Sequence, residues 1–342
     1  MHLLLWIVAS AVALITAGFL YQCIGGHRDR RRFAGFGRSV TVGRGCRFYL
    51  LEKGSGGPTV LFEAGIAATN LNWFHVQEKV AGFTGTASYD RGGLGWSSPS
   101  RTARTPGNIA EELHDLLQCA QIKPPYILVG HSFGGLVMRR FAVLYPEDVA
   151  GVVLVDPMRC EEWPPLNPAR QPAVDLGRRL TRFAILLARF GIIRLAVTSL
   201  FRRTGQLSGQ LAGTVGIGGR HVLERIKGEV GKMPKEVWPI VAAHWSRPSY
   251  YTGMRNHLVA VPDTVREMQD AEPIHDIPVV VLTPGISTPL SDQQLSRIGD
   301  NVEQVIAPAS AHWIHLDEPD LVIDSIREIV AAATPETVGA AV

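Results

Sequence analysis

The chain has 342 residues, 46% of them hydrophobic and 19% charged, with a formal net charge of +3. Such a content fits a folded globular protein and excludes extended disorder. So small a positive excess, with no recognition motif beside it, gives no reason to expect a nucleic-acid partner.

The first element in chain order is apolar. Residues 3–24, LLLWIVASAVALITAGFLYQCI, carry no charged side chain across 22 positions. As a helix this run measures about 33 Å, close to the thickness of a bilayer core. A cleaved signal peptide is the competing reading, and it calls for basic residues before the run and a small-x-small site after it. Only His2 precedes the run, and bulky Phe19, Leu20, Tyr21 and Gln22 stand near its end. Cys23 lacks the small residues that a lipoprotein site needs before it. The expectation is therefore an uncleaved single-pass membrane helix with a basic flank, over residues 1–32. Arg28, Arg30, Arg31 and Arg32 follow the run, and charge bias puts such a cluster, with the domain that follows it, in the cytoplasm. The same arginines would also stop a helix at either face. Cys23, Cys46, Cys119 and Cys160 form no CxxC pair and read as scattered thiols, with one bridge left open.

From about residue 40 strands alternate with helices. Apolar, β-branched runs at 59–63 (TVLFE), 86–89, 126–129 (YILV), 152–155 (VVLV), 279–282 (VVVL) and 302–306 predict buried strands. Helices are predicted over 108–121, with Asn108 as a cap, and over 320–333. This pattern implies an α/β fold, a mostly parallel sheet covered by helices on both faces. It breaks between 159 and 272, a helix-like stretch without an obvious strand. The economical organisation is one α/β domain in two parts, 40–158 and 273–333, with a helical cap inserted at 159–272 and a tail at 334–342. Residues 176–223 hold eight arginines and no Asp, Glu or Lys. Within them FAILLARFGIIRLAVTSLF resembles an interfacial helix resting on anionic lipid, with Arg202 and Arg203 as the charges to reverse in a test. A cap helix packed on the core with its arginines in water is the alternative.

Gly130-His131-Ser132-Phe133-Gly134-Gly135 follows the strand YILV and precedes the helical stretch LVMRRFAVLYP. A strand-to-helix turn this sharp needs small residues two before and two after the serine. It exposes the serine Oγ at a helix N-terminus, whose first amides favour developing negative charge.

The stretches PTVLFEAG, ASYDRGGLGWS, YILVGHSFGG, GVVLVDP, PVVVLTPG and SAHWIHLDEPDLV resemble, in this order, the α/β-hydrolase superfamily over about residues 40–333. The likeness is to its serine esterases and lipases. It implies Ser132 as nucleophile and His312 as the base that takes its proton, with His315 as a rival and His131 as support. Many family members carry the orienting acid soon after the strand here reading PVVVLTPG. This chain continues ISTPLSD, so Asp292 is the first carboxylate there. A second family arrangement, seen in haloalkane dehalogenases, puts the acid at the end of the preceding strand, where Asp156 falls. Asp156 is thus the favoured acid, with Asp292, Glu161 and Glu162 left open. The oxyanion donors implied are the backbone amides of Phe133 and of Ile66, in Ala64-Gly65-Ile66. Asp90 and Arg91 read as turn structure, and His75, His114, His244 and His275 as surface or packing residues.

The reading implies a carboxylic-ester hydrolase working through an acyl-enzyme on an apolar or lipid-like ester, with no cofactor and no metal. An acyltransferase using the same residues is one alternative. A catalytically silent binding module at the membrane is another, kept open by the displaced acid.

Overall fold

The fold is that of a computed structural model describing residues 1–43, 45–203 and 228–334. Its centre is one eight-stranded sheet in the order β1-β2-β4-β3-β5-β6-β7-β8. The strands are β1 (Arg38–Val42), β2 (Cys46–Lys53), β3 (Thr59–Glu63), β4 (Thr86–Asp90), β5 (Tyr126–His131), β6 (Val149–Val155), β7 (Val279–Pro284) and β8 (Val302–Ala307). All six runs expected from sequence are strands, and from β4 through β8 neighbouring strands run parallel. β5 and β7 are buried along their whole length, so their alternate residues feed two cores. Leu128 packs on one face with Leu113, Leu117 and Phe141. Ile127 and Val129 pack on the other with Trp73, Val76 and Ile326.

Strands β1 and β2 were not expected. They pair antiparallel with each other, and β2 pairs antiparallel with β4. β1, RSVTV, is exposed at Arg38, Ser39 and Thr41 and buried at Val40 and Val42. An edge strand needs no continuous apolar run, so this hairpin lacks the signal that marks the central strands.

Helix α1 (His2–Arg32) precedes the sheet, and α2 (Phe74–Val80), α3 (Pro106–Ala120) and α4 (Phe133–Leu144) flank it. The expected start of α3 needs correction: the helix begins two residues earlier, with Thr105 at the cap position and Pro106 inside its first turn. Proline lacks only an N–H that the first turn leaves unpaired anyway. Asn108 lies inside the helix and donates from Nδ2 to Ala103 O at 3.0 Å.

Between β6 and β7 the described residues form α5 (Gln171–Arg189), α6 (Ile192–Arg203), α7 (Trp238–Trp245) and α8 (Pro248–Gln269), and no strand. The chain then closes with α9 (Asp292–Ser296), α10 (Ile314–Asp317) and α11 (Pro319–Ala333). Helix α8 docks over the sheet's carboxyl end, where Tyr250 Oη donates to Ala67 O at 3.0 Å. Gly253 presses so closely on Gly93 that a Cβ on Gly93 would stand 3.3 Å from its Cα. Residues 204–227, within the expected cap, and all of the expected tail except Thr334 lie outside the described residues, as do the side chains of Arg202 and Arg203.

Helix α1 is long and apolar enough to cross a membrane. Its most apolar window has a mean hydropathy of 2.4, with none of it buried. All four cysteines are free.

Candidate active site

β5 delivers Ser132 through a turn that its neighbours enforce. Ser132 has φ 54° and ψ −120°, a backbone region costly for a side-chain-bearing residue. Its N–H donates to Val155 O at 3.0 Å, and its carbonyl accepts from Gly135 N at 3.0 Å and Met158 N at 3.1 Å. The flanking glycines are required by space. A Cβ on Gly130 would lie 2.6 Å from Gly134 O, and one on Gly134 would lie 2.6 Å from Ala64 O.

β6 ends beside β5 in a second left-handed residue, Asp156, with φ 40°. Its N–H donates to Leu282 O at 2.8 Å, which ties the turn to β7. The loop after β8 carries His312 back to this edge, where its Nδ1–H donates to Asp156 Oδ2 at 2.6 Å. The histidine side chain is 46% exposed and the aspartate 16% exposed, so the pair opens toward solvent from the histidine side. The other carboxylates weighed from sequence lie elsewhere. Asp292 opens α9, behind a capping box made by Ser291 and Gln294, and Glu162 pairs with Arg170 at 3.5 Å. Glu161 is exposed in the turn after β6.

Behind His312 the rings form a stack. His131 lies 4.6 Å from His312 and 4.5 Å from His315, centroid to centroid, and His315 lies 4.6 Å from Trp73. His131 Nε2–H donates to His312 O at 2.8 Å, holding the backbone of the half-exposed histidine. His315, the rival base, is fully buried, and burial pushes its pKa down to about 3. Its ring nitrogens have no partner among the described residues. His114 stacks on Tyr145 and His275 pairs with Asp300 at the surface.

The two amides expected to hold an oxyanion flank Ser132. Phe133 opens α4, and the first four amides of a helix have no acceptor inside it. On the other side, the chain leaving β3 makes a turn closed by Ala68 N–H donating to Gly65 O at 3.1 Å, with Ile66 at its centre. Gly65 sits against Ser132: a Cβ there would lie 3.5 Å from Ser132 Cβ and 3.0 Å from His131 Nδ1.

Arg91 does more than shape a turn. Its Nη1 donates to Glu63 Oε1 at 2.9 Å and to Ala64 O at 2.7 Å, and its Nη2 donates to Gly65 O. The guanidinium also lies 5.2 Å from the Phe133 ring centroid. Glu63 accepts a further bond from Tyr89 Oη. Burial pushes the Glu63 carboxyl above its usual range, with Arg91 and Tyr89 opposing. On the cap side, His257 of α8 sets its ring edge-on to Phe133, with centroids 5.4 Å apart. Sequence reasoning missed this brace. The available signal was a charged residue, Glu63, ending an otherwise apolar strand, and its meaning needed the adjacency of β3 and β4.

Arg91 and Glu63 are each 1% exposed at the side chain. Removing one member of a buried pair strands the other charge and costs about 3–5 kcal/mol. Arg91→Met should therefore lower the urea midpoint sharply, and Glu63→Gln added to it should recover part of the loss. A single variant as stable as the parent would show that the pair braces nothing.

A family model described as the alpha/beta hydrolase fold matches residues 58–207. The chain is 39% identical over 114 residues to the uncharacterized protein YqjL of Bacillus subtilis, a match covering 33% of this chain and 45% of that protein. It spans less than half the length of the first curated relatives it matches, at 45%, 17% and 42%. Among solved structures, the epoxide hydrolase CorEH superposes with a TM-score of 0.64 at 17% identity, over 87% of this chain and 99% of that one. A thermophilic esterase from Thermogutta terrifontis superposes at 0.60 and 18% identity, over 87% and 98%. The family match takes in β3, which carries Glu63, and the strands β5 and β6 that lead into Ser132 and Asp156, and with the superpositions it shows that the chain has the α/β-hydrolase fold.

Proposed function

We propose that the chain is a membrane-anchored serine hydrolase that cleaves carboxylic esters through an acyl-enzyme, with Ser132, His312 and Asp156 as its triad. The observation that carries this reading is the 2.6 Å bond from His312 Nδ1–H to Asp156, at the strand edge that also presents Ser132. A carboxylate on Nδ1 leaves Nε2 as the basic nitrogen and stabilises the imidazolium once it forms.

The proposed reaction runs in two halves. Ser132 Oγ attacks the ester carbonyl while His312 Nε2 takes its proton, and the oxyanion is held by the amides of Phe133 and Ile66. As the C–O bond to the alcohol breaks, His312 returns the proton to the leaving oxygen. Water then attacks the acyl-serine, losing a proton to His312, and the carboxylic acid leaves with Ser132 restored. The apolar run of α1 supports an anchor, and the arginines at the carboxyl end of that helix support a cytoplasmic domain. An anchored enzyme meets its substrate at a lipid surface, which favours an apolar or lipid-like ester.

Reaction of the full-length protein with a fluorophosphonate probe tests the chemistry. Labelling is expected for the parent, none for Ser132→Ala, and strongly slowed labelling for His312→Ala. Equal labelling of parent and Ser132→Ala would overturn the assignment. Labelling without ester turnover would point to acyl transfer, and no labelling at all to a binding module.

A further inference from the structure

The cap and the N-terminal helix are one packed unit. A Cβ on Gly18 would collide with the Phe190 carbonyl, and one on Gly191 would stand 2.8 Å from Tyr21 Cδ1. α1 therefore meets the α5–α6 corner almost backbone to backbone. A buried polar chain fastens the contact. Gln22 Nε2 donates to Ser246 O at 2.9 Å, Arg194 Nε donates to Gln22 Oε1 at 2.9 Å, and Arg194 Nη1 donates to Asp29 Oδ2 at 2.6 Å.

Fastened there, α5 presents an uncovered apolar stripe. Val174, Thr181 and Ala188, seven residues apart, form its packed face. On the far side Leu176, Leu180, Phe183 and Leu187 follow at i, i+4, i+7 and i+11, with exposures of 50%, 47%, 66% and 40%. Such spacing places all four on one side of a helix. Exposed Arg179, Arg182 and Arg189 lie beside the stripe, and α6 extends the apolar surface with Ile192 and Leu195, both more than half exposed.

We infer that this stripe lies in the headgroup–acyl boundary of the bilayer that α1 enters, so that the cap rests on lipid beside its own anchor. The inference rests on the membrane reading of α1. Depth supports it: a core about 30 Å thick, entered at residue 3, ends near residue 23 at 1.5 Å per residue. Gly18, where α1 touches α5, then lies about 7 Å inside that boundary, within the roughly 5–10 Å to which interfacial helices sink. Gln22 falls at the boundary itself, with its amide satisfied by protein, and the arginines from Arg28 onward fall beyond it. An apolar stripe with an arginine flank is the composition that binds anionic leaflets.

The test uses full-length protein with its cysteines replaced by serine, in vesicles of phosphatidylcholine and phosphatidylglycerol. An environment-sensitive fluorophore is placed in turn at Leu14→Cys on α1, Phe183→Cys on the stripe and Ser296→Cys on the core surface. Lipids carrying a nitroxide near the headgroup should quench the Phe183→Cys label about twofold or more over the Ser296→Cys label. A nitroxide near the bilayer centre should quench the Leu14→Cys label most. Quenching at position 14 but not at 183 would overturn the cap contact and leave the anchor standing. Quenching at neither would overturn both. A label at 183 shielded from lipid nitroxide and from aqueous iodide alike would show a second protein copy on the stripe, which also overturns the proposal.

Discussion

Asp156→Asn is expected to lower ester turnover by about three to four orders of magnitude, the loss seen when a triad carboxylate becomes an amide with its geometry kept. The bond to His312 Nδ1 is short, at 2.6 Å, and an asparagine can meet that nitrogen with its NH2 group. It would then favour the tautomer with hydrogen on Nε2, which cannot accept the Ser132 proton. Asp292→Asn should leave turnover within about twofold, because a surface substitution away from the site is close to neutral. Parallel rates for the two variants distinguish the positions: a collapse with Asp292→Asn and none with Asp156→Asn would move the acid to the commoner family site. Adding Ser132→Ala to Asp156→Asn should lower the rate little beyond Ser132→Ala alone, since residues acting as one unit are not additive.

The second large effect is on stability. Burial holds four histidines neutral: His244 and His315 are pushed down to about 3, and His131 and His257 well below their usual range. In the unfolded chain each would titrate near 6.5. As pH falls below about 6.5 the unfolded state gains four protons that the native state refuses, so stability is lost in that direction. Asp90 works the other way. Burial pushes its carboxyl up to about 6, so near pH 5 the native state holds a proton that the unfolded chain has released. Burial raises the Glu63 carboxyl in the same direction, so the net uptake on unfolding is at most about three protons there, a slope of at most about 4 kcal/mol per pH unit. Against a total stability of about 5–15 kcal/mol, this predicts acid unfolding near pH 5. Urea midpoints should be flat from pH 7 to 8 and fall steeply from 6.5 to 5. His315→Phe, which keeps a ring against Trp73, should reduce the slope by one proton. Midpoints independent of pH between 5 and 7 would sink the argument.

What the sequence made legible followed burial. The six central runs could be read because strands covered on both faces must be apolar throughout, whereas the β1–β2 hairpin mixes polar with apolar residues and carried no such mark. Ser132 was legible because the turn demands glycines at fixed offsets. Asp156 was one carboxylate among four, 156 residues from His312, and only the side-by-side ends of β6, β7 and β8 bring the two together. Asn108 was misplaced as a cap because Pro106 starts the helix earlier. The Glu63–Arg91 brace lay hidden because its members stand at the end of β3 and just past the end of β4, whose pairing is a property of the sheet.

That brace bears on where substrate preference resides. One guanidinium holds the carbonyls that precede Ile66 and lies against the ring of Phe133. The spacing of the two proposed donors is thus set by a single rigid part, with no reorganisation required as charge appears on the substrate oxygen. Acyl chains of different length would meet the same donors at the same distance. On the proposed reading, selection among them falls to the helices between β6 and β7, which could diverge in evolution to suit new esters while the triad and its two donors stay as they are.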